Sequence, residues 1–134
     1  MVGLFDKFKE AFRRSPLIGR TYEYPAPGLD SPRAMFARAI ADLWADGSDD
    51  TWLTIDTIPT AGEPSRTIQL TGQAINTLLE EIDIETVLRR AGLAELAARA
   101  SRTGDALYHI PTSDPVQMAA AVDAVFVHQY GLRP

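Results

Sequence analysis

Apolar residues recur at spacings of three and four near the start of the chain: Leu4, Phe5, Phe8, Ala11 and Phe12. That period predicts an amphipathic helix over 1–14, with one aromatic stripe and a mixed-charge opposite face. Residues 15–30 break the pattern with Pro16, Gly19, Pro25, Pro27 and Gly28, marking an extended connector and making the first helix a separable arm. Within the connector, Tyr22 and Tyr24 flank Glu23 in strand-like alternation, a piece suited to lie along a sheet edge.

From 31 to 134 the pattern is that of a single domain. Ser31-Pro32 is a capped helix start, and Met35, Phe36, Ala39, Ile40, Leu43 and Trp44 form a broad apolar face that Gly47 ends. A turn over 46–50 leads to two strands. In 51–58, Leu53 and Ile55 alternate with Thr54 and Asp56; in 66–71, Ile68 and Leu70 alternate with Thr67 and Gln69. A loop of hairpin size over 59–65, with Gly62 and Pro64, makes an antiparallel pair with one wet face. Residues 74–100 read as two or three short helices punctuated by Asp83 and Gly92, with Ile75, Leu78, Leu79, Ile82, Val87, Leu88, Leu93 and Leu96 inward. Glu85 with Arg89, and Glu95 with Arg99, stand four apart in the favourable order. A third strand over 104–111 places Leu107 and His109 on one face, Tyr108 and Ile110 on the other. The closing helix is the best marked: Asp114 as cap, Pro115 at the first position, Gln117 where a capping box reaches back, and Gly131 as the stop. Its core stripe is Met118, Val122, Val125, Phe126 and Tyr130, while Ala120, Ala121 and Ala124 invite a second helix, from this chain or another copy. The predicted class is α+β: a two-layer domain with a small antiparallel sheet covered by helices and an N-terminal helical arm.

Composition narrows the function by subtraction. The 134 residues hold no cysteine and two histidines, His109 and His128, in different predicted elements. A disulfide framework is excluded, and no phosphate loop or nucleophile motif stands in the sequence. Five cations in residues 1–20 against Asp6 and Glu10 give +3, so the remaining residues carry −8 of a total of −5. An acidic body repels phosphates, so nucleic acid is not the expected partner. Both lysines lie in the first ten residues, and arginine and alanine dominate elsewhere, the composition of a GC-rich bacterial genome. The mixed charges of the arm argue against contact with an anionic membrane. No apolar run approaches the roughly 18–20 residues of a membrane span, and nothing resembles a signal peptide, so the expected compartment is the cytoplasm.

Each chemical candidate has an ordinary alternative. Glu80, Glu81, Asp83 and Glu85 read as a solvated face and not a metal site, since hard cations need several converging oxygens. The turn over 46–50 lacks the ligand spacing of a calcium loop. His109 reads as a half-buried histidine without a nucleophile beside it, His128 as surface, and Trp44 and Trp52 as core or edge anchors. No catalytic, cofactor-binding or metal-binding residue is assigned. The expected partner-binding residues are Leu4, Phe5, Phe8, Phe12, Tyr22 and Tyr24. Their apolar stripe needs a cover, from the chain's own domain, a second copy in a homodimer, another protein or a membrane surface.

The layout from Pro32 to Gly131, and above all "ALYHIPTSDPVQMAAAVDAVFVHQYG", resembles the type III secretion chaperone-like group that includes the YbjN-like bacterial proteins. The resemblance spans about three quarters of the chain, with a central region more helical than the group's run of strands. It implies a small acidic α+β domain, often dimeric, that binds an extended segment of another protein without enzymatic activity. The expected function is therefore a protein-binding module, chaperone- or adaptor-like. A structural protein self-associating through its N-terminal helix comes second, and a small-ligand binder or enzyme last.

Overall fold

A computed structural model describes residues 28, 30–46, 52–56, 66–78 and 80–132. The expected helix over 1–14, nearly all of the connector, most of the turn over 46–50, the loop over 59–65 and Leu79 lie outside the described residues.

Helix α1 spans Pro32–Asp46. The Ser31 hydroxyl accepts from the Ala34 amide at 3.1 Å, satisfying an otherwise unpaired donor of the first turn. Phe36, Ala39, Ile40 and Leu43 are buried, with Met35 and Trp44 half-buried at the margins. A side chain as fully enclosed as Ile40 contributes about 1.5–3 kcal/mol relative to exposure.

Five strands follow among the described residues: β1 Leu53–Asp56, β2 Thr67–Thr71, β3 Ala74–Asn76, β4 Ser101–Gly104 and β5 Leu107–His109. They form one antiparallel sheet in the order β1-β2-β3-β5-β4. Two corrections to the sequence-based expectation arise here. Residues 74–76 are a strand, because Gly72, at φ +52, opens a two-residue loop that folds β3 back onto β2. The third predicted strand is a hairpin, with Gly104 closing β4 and Asp105-Ala106 turning the chain into β5.

Register sorts the sheet into two faces. Leu53, Leu70, Ile75 and Tyr108 stand in one cross-strand row, and Ile55 and Ile68 in the next. All six pack with residues of the four helices in the core cluster, so the helices gather on this inner face. Helix α2 (Ile84–Arg90) starts at Asp83, whose carboxylate accepts from the Thr86 amide at 3.1 Å. Helix α3 (Ala94–Arg99) follows after Gly92, at φ +79. The Glu85–Arg89 pair closes at 3.0 Å.

Helix α4, Pro115–Ala124, is buried all round from Met118 to Ala124. Its alanines resolve the choice the sequence left open: Ala120, Ala121 and Ala124 are enclosed within the chain, and α1 makes its main helix packing against α4. Arg33 of α1 clamps the buried Asp123 carboxylate at 2.9 Å. Gln117 does not reach back to the cap residue itself. The Thr112 hydroxyl donates to Gln117 Oε1 and accepts from the Asp114 amide, relaying the contact. Beyond Ala124 the helix widens into a π-helical turn, Val125–Gln129, and Gly131 at φ +71 lets the Leu132 amide bond the Phe126 carbonyl.

Candidate functional surface

The second face of the sheet carries the row Thr54, Gln69, Asn76 and Leu107, flanked by Asp56 with Thr67 on one side and Thr71, Ala74 and His109 on the other. Alternation along β1, β2, β3 and β5 dictates this placement once the apolar row faces the helices. Leu107 is half-buried yet stands outside the core cluster, so its cover is not the helical layer.

A solvated sheet face should leave its central polar side chains wet. Here Gln69 is 8% exposed and Asn76 9%. Asn76 is satisfied locally, its Oδ1 accepting from the Leu78 amide at 2.7 Å and holding Leu78 at φ +64. Gln69 is not: its Oε1 and the Thr54 hydroxyl, on cross-strand neighbours, are sealed from water without a hydrogen-bond partner. An orphaned buried polar group costs about 1–3 kcal/mol, so this pair of oxygens is an unmet hydrogen-bonding demand on the face. Beside them, among the described residues, β1 is an edge strand, paired with β2 alone.

The charged candidates are occupied by structural partners. Glu80 meets Arg66 at 2.7 Å and Glu81 meets Arg102 at 2.8 Å. The Thr86 amide, then its hydroxyl, holds the Asp83 carboxyl below the usual carboxylate range. His109 sits 3.2 Å from Gln73 Oε1; since the Gln73 amide nitrogen donates to the Thr112 carbonyl at 2.8 Å, His109 Nε2 carries the proton. His128 is exposed at the end of the last helix. Trp44 is an anchor, donating to the Gly72 carbonyl at 2.9 Å, and Trp52 is half-buried beside β1. The expected binding residues Leu4, Phe5, Phe8, Phe12, Tyr22 and Tyr24 lie outside the described residues.

Sequence reasoning missed a second cluster. The Arg66 guanidinium lies 5.0 Å from the centre of the Tyr130 ring, and Phe126 packs against the same ring at 6.0 Å. Burial, then the Glu80 carboxylate, pushes the Tyr130 phenol up to about 12, against the lowering effect of Arg66. Phe126 and Tyr130 stand four apart on the stripe read from the sequence, but Arg66 comes from a distant segment that no local spacing joins to them. Together they seal the helix end over the core with a cation–π contact and an ion pair.

Among the described residues no helix is long and apolar enough to cross a membrane. No protein-family model, curated protein or solved structure matches this chain.

Proposed function

We propose that this chain is a non-enzymatic protein-binding module, chaperone- or adaptor-like, that takes an extended segment of a partner protein on the outer face of its sheet beside the β1 edge. The observation that carries this reading is the sealed, unpartnered pair Thr54 and Gln69 on a face outside the helical core. An extended segment lying there would bring amide or hydroxyl donors to those oxygens, and β1, which ends the sheet among the described residues, offers main-chain pairing. Glu80 and Glu81 are engaged in ion pairs, Asp83 in capping and His109 in an amide contact, which fits a binding role better than proton transfer. The element order adds support through the resemblance to the type III secretion chaperone-like group. With Ala74–Asn76 a strand, three strands run consecutively before α2, and the central departure from that group narrows.

The test is site-specific photo-crosslinking in cells, with a benzophenone side chain at position 54, 107 or 116. Val116 is 62% exposed at the start of α4 and serves as the control. Protein adducts at 54 and 107, absent at 116, are expected. Equal yields at all three, or none at 54 and 107, would sink the assignment of this face, and an adduct of twice the chain's mass would move it to self-association.

A further inference from the structure

We infer that Arg102 is the gatekeeper of the β4 edge: its charge, with the bulge at Thr103, keeps a second copy of this chain from adding a strand there. The inference is independent of the binding role proposed above, which uses the opposite end of the sheet. A strand that ends a sheet presents unpaired main-chain donors and acceptors, and a matching edge is always at hand on another copy. Among the described residues β4 ends the sheet, and all four of its residues, from Ser101 to Gly104, are exposed. That exposure leaves protection to the strand itself.

Three features of β4 supply it. Register sets Arg102 opposite Tyr108, a buried residue of the inner face, so its side chain leaves the strand on the helix-bearing side. There the guanidinium is fixed. Its Nη2 meets Glu81 at 2.8 Å and Asp105 at 3.5 Å, while Nε donates to the Gly104 carbonyl at 3.0 Å, occupying a main-chain acceptor of β4. Arg102 pairs with Tyr108 and Gly104 with Leu107, which leaves Thr103 as an extra residue that bends the strand and breaks its ladder. The strand is also short, four residues. An antiparallel contact between two copies would run about a two-fold axis normal to the sheet, keeping both Arg102 side chains on one face. On so short a strand the two guanidinium groups come close together, a like-charge pair that opposes the contact. By contrast β1 holds an unbroken register with β2 and carries no cation.

The test is sedimentation velocity of the full chain over a concentration series. Arg102→Val is expected to lower the dissociation constant of self-association about tenfold, since a two-fold contact counts each change twice. Deleting Thr103 as well should lower it further, and Arg102→Lys, which keeps the charge, should match the unmodified protein. The chain holds no cysteine, so a pyrene maleimide on Ser101→Cys marks the β4 edge alone. Excimer emission from that position is expected only in the Arg102→Val background, and from Val116→Cys in neither. Circular dichroism and the urea midpoint check the fold of each variant. Arg102 is exposed, so its single substitution decides the matter if the deletion unfolds the chain. A folded Arg102→Val protein with unchanged association and no excimer would overturn the inference. So would an excimer already present with Arg102 in place, or tighter association without one at position 101. None of these results bears on adducts at 54 and 107, so the two readings stand or fall separately.

Discussion

On the inner face of the sheet Leu70, Ile75 and Tyr108 stand side by side, enclosed by helices. One residue along the same strands, Gln69, Asn76 and Leu107 stand side by side on the outer face, and two of the three are as dry as a core residue. On the inner face burial has an agent: each apolar side chain meets an apolar side chain of a helix, and the one polar tip, the Tyr108 hydroxyl, accepts from the Ile82 amide at 2.8 Å. On the outer face the described residues account for the dryness only in part, by the turn that satisfies Asn76. A sheet made for stability alone would leave that second face either wet or apolar. The difference separates burial that the helical layer accounts for from burial that it does not.

Truncation should expose the contrast most strongly. Leu70→Ala is expected to cost about 2–5 kcal/mol in urea unfolding, because its site is enclosed and collapses poorly. Leu107→Ala, half-buried on the other face, should cost about 1 kcal/mol. Equal losses would erase the distinction between the faces. Next in size is Tyr108→Phe, which strips the partner from a buried amide and should cost about 1–3 kcal/mol. A neutral result would mean that the inner face tolerates the same orphaned groups as the outer.

Gln69→Leu sharpens the comparison through its sign. Replacing an orphaned amide with an apolar side chain should be neutral or stabilising, whereas removing an acceptor that another group uses should cost about 1 kcal/mol. We expect the neutral or stabilising result, read from the urea midpoint beside that of the unmodified protein. A clear loss would show that Gln69 Oε1 is satisfied in the folded protein.

Much of the inner layer was legible because long elements carry period and punctuation. Ser31-Pro32 and Asp114-Pro115 announce α1 and α4, and Gly131 ends the last helix as its position suggests. The strand β3 was not legible: three residues cannot display a period, and Ile75, Leu78 and Ile82 happen to fall at helical spacing. The available signal was Gly72, at the first position of a two-residue loop, which favours a hairpin over a helix start. Strand β4 was hidden for the opposite reason, being exposed along its whole length and so without alternation. The outer-face row itself follows from strand order and register, which join residues 54, 69, 76 and 107 across segments that no local pattern connects.

The smallest expected effect tests whether the turn beside that row is merely strained or also supports it. Leu78 is a bulky residue at φ +64, held there by Asn76, and it lies outside the core cluster although half-buried. The left-handed backbone costs a non-glycine residue about 1–2 kcal/mol. Leu78→Gly relieves that strain but adds about 0.5–1 kcal/mol of chain entropy and forfeits about 1 kcal/mol of apolar contact. The terms nearly cancel, so the urea midpoint should shift by the equivalent of less than about 1 kcal/mol. A loss above about 2 kcal/mol would show that the Leu78 side chain packs against something of real size. That contact would lie beyond the core cluster of the described residues.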